Sequence, residues 1–150
     1  MATVRERILQ EIETRLNNEI WVNSVYRGLL NVNDAISNKY DYPLVCFYQG
    51  EERNIEGAYK EIKNILTVYF EVYDKTSEDN KYVDTRANEL IGHFVDFIYN
   101  NARWNGLANN SIVKNNVIAY KNEGEKFFLV MFEVEIEYSY LRGRSDVRYA

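Results

Sequence analysis

Cysteine and histidine are almost missing from this chain, with one of each in 150 residues, Cys46 and His93. One cysteine forms no internal disulfide, and one of each cannot supply the clustered ligands of a zinc site. Cys46 lies in the apolar run Pro-Leu-Val-Cys-Phe-Tyr at 43–48, where a buried, inert thiol is expected. His93 falls inside a helical pattern with no serine or cysteine partner pattern, so a packed or surface histidine is expected rather than a catalytic one. No glycine-rich phosphate loop is present. No run approaches the ~18 apolar residues of a membrane span. The first residues, Met-Ala-Thr-Val-Arg-Glu-Arg, lack the apolar segment of a secretory signal, which predicts synthesis and folding in a cytoplasm. Positive charge is also scarce: 18 Lys and Arg against 23 Asp and Glu leave a net charge of -5. That balance argues against a general nucleic-acid binder, which carries a basic patch or stripe.

What is present is an ordinary globular mixture, 46% hydrophobic and 27% charged, long enough for one self-sufficient core. The dominant feature is 127–140. Phe128, Val130, Phe132, Val134, Ile136, Tyr138 and Tyr140 alternate with Phe127, Leu129, Met131, Glu133, Glu135, Glu137 and Ser139. Period-two alternation predicts a strand with one buried face. At about 3.3 Å per residue it spans about 46 Å, against about 38 Å for the diameter of a compact domain of this size.

Other segments follow. Val4, Ile8, Ile12 and Leu16 predict a helix over 3–18, with Thr3 and Glu6 at capping-box spacing. A short strand is expected at 21–26, a polar loop at 27–41, a strand at 43–48, and a polar hairpin arm at 49–59. Alternation predicts a second long strand at 61–73. Helix-start signals at Thr76, Ser77, Glu78 and Asp79 precede the stripe Val83, Ala87, Leu90, Ile91, Phe94 and Ile98 of a second helix ending near residue 100. A strand at 111–120, bulged near 114–116, and a turn at 122–124 complete a final hairpin. The expectation is an α+β fold: a four- to five-stranded, mainly antiparallel sheet with two amphipathic helices on one face and the other face open. One domain covers 1–141, and 142–150 is an exposed basic tail.

Three groups of residues are candidates for function. Glu133, Glu135 and Glu137, extended by Glu71, form either a solvated face or an acidic wall lining a channel for a polyanion. Arg142, Arg144 and Arg148 of the tail are either solubilising or dock on the acidic arm (Glu51, Glu52, Glu56) of a neighbouring copy, as a head-to-tail contact would use. Glu61-Ile62-Lys63, twenty residues after Asp41, has the form of a metal-dependent nuclease motif, though nothing basic beside it would hold phosphates.

The order of short motifs carries a resemblance. A Val-Arg-Glu-Arg-Ile-Leu helix is followed by Val25-Tyr26-Arg27-Gly28, the 43–48 strand and Gly50-Glu51-Glu52. Then come Leu66-Thr-Val-Tyr-Phe-Glu-Val, a long helix, Asn105-Gly-Leu-Ala and a closing hairpin from Gly124-Glu-Lys to Phe-Glu-Val. Over nearly its whole length the chain resembles the tail terminator proteins of tailed bacteriophages and phage-like particles. The resemblance implies a homo-oligomeric ring, usually a hexamer, with a sheet covered by helices on one face and no catalytic residues, metal or cofactor. Such a ring caps the tail tube, stops its polymerisation and meets the head or neck, so its partners would be itself, the tube protein and a neck or head-completion protein. DNA would pass through its lumen without specific binding, at the head-proximal end of the virion tail. Arg27 and the polar loops 27–41 and 49–60 would be contacts to tube or subunits. A neck or head–tail connector is the structural alternative, and the nuclease using Glu61 and Lys63 the enzymatic one.

Overall fold

The computed structural model describes residues 2–35, 39–76, 82–122 and 126–149, with the side chains of 120–122 left undescribed. It is a mixed α/β structure built on one six-stranded sheet. The elements in order are α1 (Val4–Asn17), β1 (Ser24–Arg27), α2 (Val32–Ala35), β2 (Leu44–Ile55), β3 (Glu61–Lys75), α3 (Val83–Asn100), β4 (Asn110–Asn122), β5 (Phe127–Leu141) and β6 (Arg144–Arg148). The sheet runs β1-β2-β3-β5-β4, and β6 also pairs with β5. Only β1–β2 is parallel; the other ladders are antiparallel.

The two long strands are the centre of the fold. β3 and β5 pair without a slip from Glu61↔Leu141 to Lys75↔Phe127. The even-numbered residues of both, Leu66 to Val72 and Phe128 to Tyr138, are buried in one core with the apolar faces of α1 and α3. Phe94 of α3 sits at its middle, its ring centroid 3.9 Å from that of Phe132 and 4.9 Å from that of Phe70. Each such side chain removed from water contributes about 1.5–3 kcal/mol, so the alternation that marks β5 in the sequence also fixes its register.

α1 begins as its capping residues predict: the Thr3 hydroxyl accepts from the Glu6 amide at 3.1 Å. The Glu6 carboxylate, however, takes the Arg27 guanidinium in a two-pronged pair at 2.7 and 2.8 Å, tying α1 to the end of β1. That pair holds the Glu6 carboxyl below its ordinary value.

Several expectations are corrected. The sheet has six strands, not four or five. The polar arm is the distal half of β2, which runs to Ile55 and pairs with β3 through a bulge between Gln49 and Glu52. A Cβ on Gly50 would lie 2.5 Å from Cε2 of Tyr69, so any larger residue at that bulge would displace the tyrosine ring. Two helices do cover one face, but the other is not open throughout. Ala35 of α2 packs with Leu44, Cys46, Tyr73, Phe127 and Leu129 in a second, smaller core on that side. Helix α3 starts at Val83 after Tyr82, which makes no side-chain cap bond; Thr76 instead follows the end of β3, its amide donating to the Lys126 carbonyl at 2.8 Å, and Ser77, Glu78 and Asp79 lie outside the described residues. Most of the 122–124 turn also lies outside them. Finally, 142–149 is not a free tail; residue 150 lies outside the described residues. β6 turns back at Gly143 (φ +83°) and pairs beside the end of β5, and the Arg7 guanidinium donates to the Asp146 carbonyl at 2.6 Å. β4 pairs with β5 as far as Glu137, and β6 takes over at Tyr140 on the same side, with Arg148 donating to the Asn109 carboxamide at 3.0 Å.

Candidate interaction surface

The β3–β5 ladder places Glu133, Glu135 and Glu137 in one line opposite Tyr69, Thr67 and Ile65. β2 and β4 flank that line and bring cations to it. Arg53 lies 3.1 Å from Glu135, Lys114 3.8 Å from the same carboxylate, and Lys63 3.9 Å from Glu137. The Asn115 side chain donates to Glu133 at 3.0 Å. The row therefore carries its own counter-charges, three carboxylates among three cations, and is a mixed-charge surface rather than a bare acidic wall. Each such half-exposed pair contributes at most about 1 kcal/mol, so the pairs pattern the surface more than they hold the fold. Two shallow clefts follow the row. One, of about 100 Å³, is lined by Ile65, Asn110, Ile112, Glu135 and Glu137. The other, of about 150 Å³, is lined by Glu51, Arg53, Ile65, Thr67, Glu133 and Glu135. Both are below the roughly 300–1,000 Å³ of small-molecule sites.

Glu71 shares this face but does not extend the exposed row. It is 6% exposed, paired with Cys46 on one side and Met131 on the other, and accepts from the Tyr73 hydroxyl at 3.2 Å. Burial raises its carboxyl above the ordinary value despite that bond. Burial, with Glu71 nearby, also pushes the Cys46 thiol up to about 12, an inert thiol as its sequence context implies. The lone histidine is exposed and stacks on Trp21 at 5.9 Å.

The expected subunit contacts divide into two groups. Arg27 is engaged by Glu6. Glu52 is held by Arg5 at 3.3 Å and by the Tyr138 hydroxyl, joining the arm to α1 and β5. Arg142 donates to the Tyr59 carbonyl at 2.8 Å, and its amide to the Lys60 carbonyl at 2.7 Å, so the end of β5 is fastened to the arm tip of its own subunit. Arg144 pairs with Asp146 at 3.1 Å, and Arg148 with Asn109. Glu51 and Glu56 remain exposed on the arm. The three tail arginines thus bond within their own chain to the 59–60 turn, Asp146 and Asn109, and not to the acidic side chains of the arm.

The nuclease grouping is not assembled. Glu61 accepts from the Ser139 hydroxyl at 2.7 Å, which lowers its carboxyl, and shares its face with Lys63. Asp41 precedes Leu44, which pairs with Tyr73, ten residues along β3 from Lys63 and so about 33 Å away. Among the described residues, no three His, Cys, Asp or Glu side chains converge as a metal site.

Sequence reasoning missed the cations of the row and the anchor at the start of β4. Lys63 alternates on the outward face of its strand and so could have been placed there; Arg53 follows a bulge that shifts the phase, and Lys114 sits within one. Trp104 is fully buried against Phe97 in a turn with φ +46°, and its indole N–H donates to Ser111 at 2.9 Å. Among the described residues, no helix is long and apolar enough to cross a membrane. Compared with known proteins, the chain matches no family model and no curated protein.

Proposed function

We propose that this protein is a structural virion component: a ring-forming tail terminator that caps the tail tube of a phage or phage-like particle, stops tube polymerisation and offers the joining surface to the head or neck. The observation that carries the reading is the sheet itself. Two fifteen-residue strands pair along their full length behind a helix-covered core and present an elongated, clefted, mixed-charge face. Such a face suits extended contact with proteins. The motif order that resembles tail terminators runs along the same elements. In this reading the partners are further copies of the chain, the tube protein and a neck protein. DNA crosses the lumen past a surface whose carboxylates are balanced by lysine and arginine, and the complex sits at the head-proximal end of the tail.

The test is electron microscopy of particles assembled without this protein. Tails of uncontrolled length are expected. Normal-length tails that fail to join heads would overturn the terminator role in favour of a connector.

A further inference from the structure

We propose that copies of this chain join edge to edge, the outer edge of β4 adding in antiparallel sense to the edge formed by β1 and the distal half of β2 in the next copy. The inference rests on the ring-forming reading and names the surfaces that would build the ring. Its first support is strand direction. β1 and β2 run together, β3 opposes them, β5 reverses again, and β4 opposes β5. The two outer edges of the sheet therefore run in opposite senses. A neighbour placed alongside without inversion meets β4 with β1 and β2 in antiparallel register, the arrangement that continues the ladder. The contact is heterologous, so one operation repeated can close a ring.

Both edges have free length. β4 has 13 residues and pairs only with β5, and β2 beyond Phe47 pairs only with β3 among the described residues. The Val113 amide, which donates to the Tyr99 hydroxyl at 3.2 Å, is an exception along β4. Exposed apolar side chains mark the same places. Ile112 and Val117, 45% and 55% exposed, lie on β4 with Tyr99 beside it, and Tyr26 and Leu29 lie at the β1 end.

Charge selects the partner edge. Positions 110–122 carry Lys114 and Lys121 and no acid, whereas 49–56 carry Glu51, Glu52 and Glu56 against Arg53. A β4-to-β4 pair would set two acid-free, lysine-bearing strands together; a β4-to-β2 pair sets basic against acidic. The bulges between Val113 and Asn115, at Lys114 itself, and between Ile118 and Tyr120 are devices that keep an edge from pairing indiscriminately. They leave this one selective for an acidic complement.

The experiment is charge exchange read by sedimentation velocity at low and high salt. Lys114→Glu and Glu51→Lys change exposed side chains, the first also giving up the 3.8 Å pair with Glu135 of its own subunit, and unchanged far-ultraviolet dichroism establishes that each variant folds. Each alone should weaken association on the order of tenfold at low ionic strength, less at high salt. An equimolar mixture of the two variants should restore it, because each then meets an opposite charge. If the unaltered protein associates but neither exchange weakens it, or Glu51→Lys alone is without effect, the edge contact is wrong and the ring is built elsewhere. If the unaltered protein stays monomeric at every concentration, alone and with tube protein, the ring reading fails with it.

Discussion

The start of β4 hangs on one buried hydrogen-bond chain, and breaking it at either end should give unequal, coupled losses. After α3 the backbone enters three successive positive-φ residues, Trp104, Asn105 and Gly106. For a bulky residue this costs about 1–3 kcal/mol and persists only where the surroundings impose it. Here they do: the indole is fully buried, packs on Phe97 at 5.7 Å and donates to Ser111, whose hydroxyl donates in turn to the Ala102 carbonyl at 2.7 Å. Ser111→Ala removes both bonds. It leaves the indole N–H buried without an acceptor, at about 1–3 kcal/mol, while water can partly replace the loss at the half-buried carbonyl, so about 2–4 kcal/mol in all is expected. Trp104→Phe loses part of the packing and one bond, but Ser111 keeps its carbonyl. The double variant loses the shared bond only once, so its destabilisation should fall short of the summed singles by about 1–2 kcal/mol. Urea unfolding followed by far-ultraviolet dichroism, which survives removal of the tryptophan, measures all four corners of the cycle. Additivity within about 0.5 kcal/mol would refute the coupling.

Phe94→Ala should cost about 3–5 kcal/mol and lower the melting temperature by about 6–20 °C for a chain of this size; a loss under 1 kcal/mol would mean that the core does not centre on that ring. Truncation after Leu141 deletes the Arg7–Asp146, Arg148–Asn109 and Tyr149–Ser139 bonds and both Arg142 bonds to the Tyr59 and Lys60 carbonyls. It should destabilise by about 1–3 kcal/mol, these bonds being offset in part by the freed chain entropy; an unchanged melt would restore the free-tail expectation. Glu71→Gln should stabilise the fold at pH 7. Burial raises the Glu71 carboxyl in the folded state, so as pH climbs from its ordinary value of 4.5 the unfolded chain ionises first and folding is increasingly penalised. Below that pH both states are protonated, and the advantage of glutamine should vanish; an advantage equal at pH 7 and pH 3 would exclude the ionisation cause.

Legibility followed the range of the interaction. Val4, Ile8, Ile12 and Leu16 were placed on one helix face by spacing alone, and all are fully buried, because a helix writes its burial in residues three and four apart. β5 was equally legible on its even face. Its odd face was half-read: Phe127 and Leu129 are as apolar as their neighbours, and the change to glutamate only from Glu133 marked where cover ends and the exposed surface begins. The cover itself was hidden, since four-residue α2 is too short to show a period. β6 was hidden for a different reason. Arg-Ser-Asp-Val-Arg has the polarity of a tail, and only its pairing beside β5 and the carbonyl it offers to Arg7, 139 positions earlier, make it a strand.

The glutamate row shows what that difference does to a functional argument. Read along the chain, Glu133, Glu135 and Glu137 are three like charges in a line. Read across the sheet, Arg53, Lys63 and Lys114 arrive from three other strands, the nearest in sequence being Lys114. The chain offers no local signal for this neutralisation, because it depends on ladder register and on two bulges that set Arg53 and Lys114 toward the row. A channel lined by this face would thus owe its indifference to a polyanion to balanced charge rather than to repulsion. On the distal arm Glu51 and Glu56 are exposed with no salt bridge among the described residues, and in the proposed edge-to-edge contact they would face β4, whose Lys114 is shared with Glu135 of its own subunit. The even face of β5 holds the main core and the 127–131 end of its odd face the smaller one, so only the Glu133–Glu137 stretch can vary in charge at little cost in stability.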